Sequence, residues 1–396
     1  MQIYEFKRKI WSWKVYKDLK KNIIKIFYLL PIQRNKIVFD NFGGKGFGDD
    51  PKYIAQELLQ EMPKLKLIWV TTDVHTKLPS GIKPVKYGTI RAAYHWITAK
   101  IWVDNIKSTI RPEKRRGQFY IQTWHSTLGF KKNEADASDL PLVYLKQSKE
   151  DGKCIDLMYS DNDFRYDKYK NRFWYEGEVI KCDVPRMSIL LKQDQTLHGK
   201  VYQELKIPND KKIVLYAPTF RKNTDKMIYK MNVKAVCKAL NNKFGASFEF
   251  VMRLHPNEAE LAKDIMQEEN IINATYYPDM QELLAVSDVL ITDYSGCMFD
   301  FGFARKPVFL LAKDVEKYLR EEREWYFTLS EVPFDLAQSD EMLIHNIMEF
   351  DNQKYMQKCK MFEQKVGFSD MGNGAKQISN LILEQINKEY NINNGK

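Results

Sequence analysis

Short apolar runs alternate along most of the chain with stretches in which apolar residues recur every three or four positions. The run KIVFDNF followed by PKYIAQELLQEM predicts a buried β-strand and then an α-helix with Pro51 in its first turn. The strand LKLIWVTT, the helix TIRAAYHWITAK and the strand IWVDN continue the series, and YIQTWHS and CIDLMYS add two strands. Strands separated by such helices imply a parallel sheet.

The same alternation restarts after a charged, glutamine-rich passage near residues 190–210. The strands KIVLYAPTF, FEFVMRL, DVLITDY and PVFLL are separated by the helices VKAVCKALNNKF, EAELAKDIMQEE and MQELLAVS. Because 396 residues exceed what one core usually serves, we predict two doubly wound, Rossmann-like α/β domains that face a central cleft.

The predicted divisions are an N-terminal segment at 1–34, a first domain at 35–200 and a second domain at 201–396. The sequence leaves open whether the final helix, GAKQISNLILEQINKEY, packs back on the first domain. A cleft between the carboxyl ends of the strands of both domains is the expected place for a site.

The first thirty residues form a basic amphipathic pattern. Apolar side chains recur at helical spacing from Phe6 to Leu30, and between them lie eight Lys or Arg residues and only two acids. This pattern is typical of a helix in a membrane interface, with its lysines facing anionic lipid. The alternative is a basic surface helix packed on the first domain. Since no run of about 18 apolar residues exists, we expect neither a membrane-spanning helix nor a signal peptide.

The formal net charge of +10 indicates an anionic partner, which could be nucleic acid, an acidic membrane or a phosphorylated substrate. No RNP-like aromatic strand or basic recognition helix supports nucleic acid. The five cysteines are odd in number and form no CxxC pair, which argues against a disulfide framework or a structural zinc site. A reducing cytoplasm fits this cysteine usage.

Two of the six histidines, His125 and His255, follow predicted strands, one in each half of the chain. Loops after parallel strands lie at the carboxyl edge of a sheet, so both side chains are expected to face the cleft. Taken alone, either histidine could be an ordinary loop or capping residue. The other four lie in polar loops or on helices without comparable neighbours.

Polar residues also follow two predicted strands of the second half. LYAPTFR brings Thr219 and Arg221 to one strand end, and ITDYSG brings Thr292, Asp293 and Ser295 to another before a helix. Hydroxyl and backbone N–H groups at a helix N-terminus can hold a phosphate. The alternative is an N-cap turn in which Ser295 caps the next helix.

The glycines of NFGGKGFGDDP follow the first strand. Their spacing matches neither the P-loop GxxxxGK(S/T) nor the dinucleotide fingerprint GxGxxG, so neither a P-loop ATPase nor a dinucleotide-binding enzyme is predicted. A mobile loop on the acceptor side and a plain turn both fit this segment.

The segments QTWHSTLGFKK, LYAPTFR, RLHPNE, YYPDMQELLAVSDVLITDYSGCMFDF and KPVFLL, in this order, resemble the CDP-glycerol glycerophosphotransferase family of teichoic-acid and capsule assembly. The resemblance spans residues 35–385 and is strongest from Tyr216 to Leu311. It implies a GT-B type of fold, a CDP-linked polyol phosphate held mainly by the C-terminal domain, and an N-terminal basic, hydrophobic segment that meets the membrane.

The resemblance places the two histidines of the family's WH and RxHP motifs at His125 and His255. An acceptor hydroxyl must attack the polyol-bearing phosphorus of a pyrophosphate and expel CMP, which requires a base and charge stabilisation. His125 suits the base, and His255 with Arg253 suits the pyrophosphate. The remaining predicted site residues are Thr219, Arg221, Pro278, Asp279, Met280, Thr292, Asp293, Ser295 and Gly296 for the donor, and Ser126 and Lys131 on the acceptor side.

Two departures from the family pattern bear on the substrates. The family commonly has Gly where this chain has Ser126, which alters the expected acceptor pocket. It commonly has Ser-Ser where this chain has Ser295 and Gly296, which removes one hydroxyl from the expected phosphate site.

The expected function is transfer of glycerol phosphate from CDP-glycerol to an undecaprenyl-linked saccharide or a growing teichoic-acid or capsule polymer. The reaction would release CMP at the cytoplasmic face of the membrane, by a peripheral protein. We expect no cofactor and no metal, because nearby cations could neutralise the diphosphate and no clustered carboxylate pair is evident. CDP-ribitol is an alternative donor. The alternative classes are a nucleotide-sugar glycosyltransferase and a non-catalytic protein that binds a membrane surface or nucleic acid.

Overall fold

The computed structural model describes residues 22–108, 111–192, 194–221, 226–255, 258, 265–266, 271–321 and 324–393. Two predicted helices fall largely outside this part of the chain. Residues 1–21 of the predicted N-terminal helix are not among those described, nor is most of EAELAKDIMQEE. Residues 22–27 are helical.

The first half of the chain forms a parallel sheet of seven strands, in the order β3-β2-β1-β4-β5-β6-β7. The central strands are buried on both faces, as a parallel sheet covered by helices requires. The strands are β1 (Gln33–Asp40), β2 (Lys66–Thr71), β3 (Ile82–Lys86), β4 (Ala99–Asp104), β5 (Phe119–Gln122), β6 (Leu157–Ser160) and β7 (Glu178–Lys181).

Helices connect these strands, and polar side chains cap the N-termini of two of these helices. The Thr89 side chain accepts a hydrogen bond from the backbone N–H of Ala92, and Asn162 does the same for Arg165. The helices are α1 (Asp49–Glu61), α2 (Ile90–Thr98), α3 (Leu142–Gly152) and α4 (Asp163–Arg172).

The second half forms a parallel sheet of six strands, in the order β10-β9-β8-β11-β12-β13. Its strands are β8 (Lys212–Tyr216), β9 (Phe248–Met252), β10 (Ile272–Asn273), β11 (Val289–Thr292), β12 (Val308–Leu311) and β13 (Asp335–Ala337). Its helices are α7 (Val233–Phe244), α8 (Met280–Val286), α9 (Cys297–Phe303), α10 (Val315–Glu321), α11 (Asp340–Met348) and α12 (Asn352–Val366). The predicted fold class, two doubly wound parallel sheets, is therefore confirmed.

Two segments join the halves. After β7 the chain passes through a 3-10 turn at Pro185–Met187 into α5 (Ser188–Leu191) and α6 (Gln195–Leu205). The predicted boundary at residue 200 lies inside α6, which packs against α8 of the second half. The last helix, α13 (Gly374–Asn393), returns to pack against α1 of the first half.

The strand order locates the expected site. It reverses direction between β1 and β4 in the first sheet and between β8 and β11 in the second. In open α/β sheets, ligands bind outside the carboxyl ends of the strands at such a reversal. Among the residues described, none of the helices combines the length and apolarity that a bilayer crossing needs. All five cysteines are free thiols.

Candidate active site

His125 lies in the loop after β5, where its ring is half-buried. Its Nδ1 lies 2.9 Å from the backbone carbonyl oxygen of Asn105, which follows β4. Because a carbonyl oxygen can only accept, Nδ1 must carry the proton, and Nε2 keeps its lone pair. The loop therefore presents a neutral imidazole with Nε2 available as a proton acceptor.

The side chain of Asn105 ties this histidine to the loop after β1. Its Oδ1 accepts from the backbone N–H of Phe42 (2.7 Å), and its Nδ2 lies 2.8 Å from Asn41 Oδ1 and 3.1 Å from Asp49 Oδ2. One buried amide thus fixes the position of the glycine-rich loop relative to His125.

Backbone strain also concentrates here. Phe42, Asp49 and Trp124, which all lie next to His125 or to Asn105, adopt left-handed φ values of 48°, 56° and 57°. Non-glycine residues hold this conformation only where surrounding contacts enforce it, and such residues cluster at functional sites. The hydrogen bonds of Asn105 to Phe42 and Asp49 are contacts of this kind.

Burial and two nearby arginines favour the neutral form of His125. Burial lowers the pKa of the His125 imidazole, and Arg165 and Arg186 lower it further, whereas the Asn105 carbonyl and Asp49 raise it. The net shift is downward from the usual value. The ring is therefore unprotonated at neutral pH, as a general base must be.

The glycine-rich loop is held by hydrogen bonds at several points along its length. Gly44 N–H donates to Asp40 Oδ1 (2.6 Å), and its carbonyl accepts from Thr72 N–H (2.8 Å). A Cβ atom added at Gly44, whose φ is +84°, would lie 3.0 Å from that nitrogen. These contacts favour a fixed turn over the mobile loop that the sequence left open.

The same loop carries Lys45 toward the second half of the chain. The Asn41 side-chain amide holds the Lys45 carbonyl at 2.7 Å, and the Lys45 side chain is exposed. Burial lowers the pKa of His255, Glu258 raises it, and Lys45 and Arg253 lower it further, so Lys45 lies within electrostatic reach of His255. Hydrogen bonds thus lead from His125 through Asn105 and Asn41 to the Lys45 carbonyl, and the charge of Lys45 acts on His255.

The second half presents an open, cationic face. His255 is exposed and its ring centroid lies 5.1 Å from that of Phe220. Arg253 donates from Nη1 to the Tyr277 carbonyl at 2.7 Å. Burial lowers the pKa of Arg253, whereas Asp279 and the thiol of Cys297 raise it. Because Cys297 is the first residue of α9, Arg253 lies near the start of that helix.

The turn before α9 borders open space. Ser295 and Gly296 are half-exposed, and a Cβ atom added at Gly296 would meet nothing within 4 Å. Cys297, the next residue, is close to Arg253 and to the Ser295 side chain. Arg253, Ser295 and Gly296 therefore share one region of the surface.

Four predicted donor residues already have partners within the protein. The Thr292 hydroxyl donates to the Ala217 carbonyl (2.7 Å), and Asp293 Oδ1 accepts from the Thr219 hydroxyl (2.6 Å). Arg221 is buried, and its guanidinium lies 2.8 Å from both Asp293 and Asp314. These contacts join the loops after β8 and β11. The four residues therefore hold these loops together.

Asp279 joins the two halves of the chain. Its Oδ1 accepts from Gln281 N–H (2.8 Å) at the start of α8, and its Oδ2 accepts from Lys52 Nζ (2.6 Å) and the Tyr53 hydroxyl (2.8 Å) of α1. Burial opposes the charge of Lys52, but Asp279 and Glu282 raise its pKa above the usual value. The neighbours of Asp279 differ in exposure, because Pro278 is exposed and Met280 is half-buried.

The two predicted acceptor-side residues lie apart. The Ser126 hydroxyl, beside His125, accepts from Arg165 Nη2 at 3.0 Å. Lys131 instead pairs with Trp325 in an antiparallel bridge, and its Nζ lies 4.9 Å from the centre of the Tyr318 ring in the second half. Only Ser126 stands next to the candidate base.

Sequence patterns did not single out Lys45, Asn105 or Arg186. A signal for Asn105 was present in the sequence. The adjacent strands β1 and β4 both end in Asp and are followed by Asn, and Asp40 pairs with Asp104. Because a parallel pair places such ends side by side, the two asparagines must meet at the sheet edge. Nothing in the local sequence distinguishes Lys45 or Arg186 from the other basic residues of the chain.

The geometry can be compared with known proteins. A family model described as CDP-Glycerol:Poly(glycerophosphate) glycerophosphotransferase matches residues 22–384. The teichoic acid poly(glycerol phosphate) polymerase of Staphylococcus epidermidis is 28% identical over 90% of this chain and 52% of its own length, so this chain spans about half of that relative. The protein of the same name from Bacillus spizizenii is 27% identical, over 91% of this chain and 95% of its own length.

A ribitol enzyme and a solved structure are also similar. The teichoic acid poly(ribitol-phosphate) polymerase of Bacillus spizizenii is 28% identical over 82% of this chain and 52% of its own length. The structure of the wall teichoic acid polymerase TagF superposes with a TM-score of 0.82 at 27% identity, over 98% of this chain and 99% of that one.

Proposed function

Because the chain belongs to the CDP-glycerol:poly(glycerophosphate) glycerophosphotransferase family, we propose that it transfers a polyol phosphate from a CDP-polyol to an acceptor hydroxyl and releases CMP. The acceptor is a growing teichoic-acid polymer or its undecaprenyl-linked saccharide primer. The observation that carries the proposal is the arrangement of the two histidines. A neutral His125 lies on one side of the glycine-rich loop, and an exposed cationic surface around His255 lies on the other.

His125 acts as the general base in this proposal. Its Nε2 accepts the proton of the acceptor hydroxyl while the hydroxyl oxygen attacks the polyol-bearing phosphorus of the CDP-polyol. The bond from that phosphorus to the bridging oxygen breaks, and CMP departs with the bridging oxygen. The product is a phosphodiester between acceptor and polyol, and the proton on His125 is lost to water.

The donor diphosphate lies against the second half. Arg253, His255 and Lys45 supply positive charge for its oxygens, and the Ser295 hydroxyl and Gly296 N–H supply hydrogen-bond donors. Charge stabilisation of this kind contributes most when it is aimed at the oxygens that gain charge during the reaction. These cations are the reason that we propose activity without an added metal ion.

Glycerol phosphate is the first choice of donor group, because the polymerases from two organisms compared above carry glycerol phosphate in their names. Ribitol phosphate remains the second choice, since a ribitol-phosphate polymerase is equally similar in identity.

We propose that residues 22–30 form part of a membrane-facing edge. Ile26, Leu29 and Leu30 are exposed by 59%, 85% and 37%, although Phe27 packs edge-on against Tyr94 at 5.4 Å. Exposed apolar side chains beside basic ones suit the headgroup region of anionic lipid, where a lipid-linked acceptor would lie. The substitutions Ile26→Ser and Leu29→Ser should together weaken binding to phosphatidylglycerol vesicles several-fold.

Co-sedimentation at low salt measures that binding. The matched control is Met342→Ser on α11, because Met342 is similarly exposed but lies in the second half. Equal pelleting of the double variant and the wild type would contradict a membrane-facing role for residues 22–30.

The activity itself is tested with purified protein, an undecaprenyl-linked acceptor, and CDP-glycerol, CDP-ribitol or a nucleotide sugar, each in turn. We expect CMP release from a CDP-polyol that depends on the acceptor and persists in EDTA. Release of UDP or GDP from a nucleotide sugar, with no CMP from either CDP-polyol, would favour a glycosyltransferase and contradict the proposal.

A further inference from the structure

Arg186 is a buried cation at the junction of the two halves. It lies in the 3-10 turn Pro185–Met187, directly after the first sheet, and its backbone N–H donates to Asp50 Oδ1 at 2.8 Å. The residue is 7% exposed. A buried guanidinium is costly unless acids and acceptors surround it, so its partners indicate why it is there.

The guanidinium contacts both sides of the candidate site. Nη1 donates to the backbone carbonyl of His125 (3.1 Å) and lies 3.4 Å from Asp49 Oδ1. Nη2 donates to the Thr127 hydroxyl (3.1 Å) and lies 3.0 Å from the carboxylate of Asp300. One side chain therefore holds the base-bearing loop and a helix of the second half at once.

The helix that carries Asp300 is α9, which begins directly after the Ser295–Gly296 turn. Asp300 is buried, and its Oδ2 also accepts from Gln281 Nε2 of α8 at 2.8 Å. Asp300 thus lies about one helical turn after the proposed phosphate site. Arg186 therefore contacts both the His125 loop and the helix that follows the proposed phosphate site.

Burial opposes the charge of Arg186, but Asp300, Asp49 and Asp50 together raise its pKa above the usual value, so it stays protonated. Only a guanidinium offers several N–H groups in one rigid plane, which lets it donate to three different elements. A lysine could keep the charge but not the geometry.

We propose that Arg186 is a positioning residue, which sets the distance between His125 and the donor site by binding the His125 loop and α9 simultaneously. The inference rests on the proposed transferase function. A base displaced by about 1 Å can slow a reaction by about 10². The loss should fall on kcat rather than on donor binding, because the guanidinium contacts His125, Asp49, Thr127 and Asp300, none of which is assigned to the diphosphate.

The variant Arg186→Lys is the main test. We expect kcat to fall by about 10², with KM for CDP-glycerol changed less than about threefold. The matched control is Arg111→Lys, since Arg111 is also a buried arginine of the first half, paired with Asp104 and Asp151 but not with His125 or the second half. The control should lower thermal stability to a similar degree while retaining most of kcat.

A second variant, Arg186→Met, tests the contact through the titration of His125. The charged groups that influence His125 are Asp49, Arg165 and Arg186, beside the Asn105 carbonyl. Removing the Arg186 charge removes a cation that disfavours protonation, so the pKa of His125 and the acid limb of kcat/KM should move to higher pH. Arg186→Lys keeps the charge and should shift both less.

The His125 pKa is read by NMR titration in the absence of substrate, with His125→Asn used for assignment. An upward shift in Arg186→Met together with a selective fall of kcat in Arg186→Lys supports the inference. Wild-type kcat in Arg186→Lys overturns it while leaving the transferase function intact. If the wild type releases no CMP from any CDP-polyol, the proposed function fails, and an unshifted His125 titration in Arg186→Met would overturn the Arg186 contact as well.

Discussion

The two sides of the candidate site are built in opposite ways. On the first side, His125 is held by the Asn105 carbonyl through Nδ1, and its own carbonyl is held by Arg186. On the second side, His255 is exposed and Gly296 faces open space. The first side holds its base in position for proton transfer, whereas the second side is an exposed cationic surface that the proposed donor diphosphate would contact.

The two histidines differ in exposure, since His125 is half-buried and His255 is exposed. Burial lowers the pKa of both rings, and at each ring one acid opposes this and two cations add to it. The acid is Asp49 at His125 and Glu258 at His255, and the cations are Arg165 and Arg186 at His125 and Lys45 and Arg253 at His255. A bound diphosphate would cancel the two cations at His255 and raise the pKa of that ring. The same residue type would then serve as a base on one side and as a phosphate-binding donor on the other.

The largest effect should come from removing the base. His125→Asn should lower kcat by about 10² to 10⁴, because positioned acid–base groups typically contribute that much. Steady-state CMP release measures the loss. His345→Asn, an exposed histidine on α11, is the control and should turn over normally. Near wild-type turnover by His125→Asn would remove the distinction between the two sides.

The next effect concerns the second side. Arg253→Met should weaken binding of CDP-glycerol by about 10- to 100-fold, since a charge-assisted hydrogen bond is worth about 1.5–3 kcal/mol. Fluorescence or calorimetric titration of the donor measures this. Arg305→Met, which loses a partly exposed arginine paired with Glu363, should bind donor as the wild type does. Unchanged affinity in Arg253→Met would move the donor site elsewhere.

The parallel cores and the two strand-end histidines were predictable, because they depend on local patterns. All four edge strands, β3, β7, β10 and β13, escaped prediction. Edge strands are short and bury only part of their surface, so they lack the apolar run that identifies a central strand, and Pro84 further obscures β3.

The partners of the site residues were less predictable for a related reason. Thr292 and Asp293 have the sequence context of phosphate ligands, yet their polar groups contact Ala217 and Thr219. A sequence motif predicts which residues follow a strand. Whether a hydroxyl group there binds a ligand or a neighbouring loop depends on the three-dimensional distances between strands. Arg186 shows the converse, since its role depends on contacts far apart in the sequence.

A smaller effect is expected where the two sides meet. Lys45→Met removes an exposed cation that the glycine-rich loop brings near His255, and it should weaken donor binding by about threefold to tenfold. The loss should diminish at high salt because the charge is exposed. Lys64→Met, an exposed lysine just before β2, is the control. If Lys45→Met binds donor normally at low salt, the loop has no part in the donor site.

The assignment of His125 as the base and His255 to donor binding is tested most directly by calorimetric titration of CDP-glycerol into His125→Asn and His255→Ala. We expect His125→Asn to bind the donor with wild-type affinity although it cannot turn over. His255→Ala should bind at least about tenfold more weakly, because it loses a hydrogen bond to a charged phosphate. Weakened binding in His125→Asn with unchanged binding in His255→Ala would contradict this assignment.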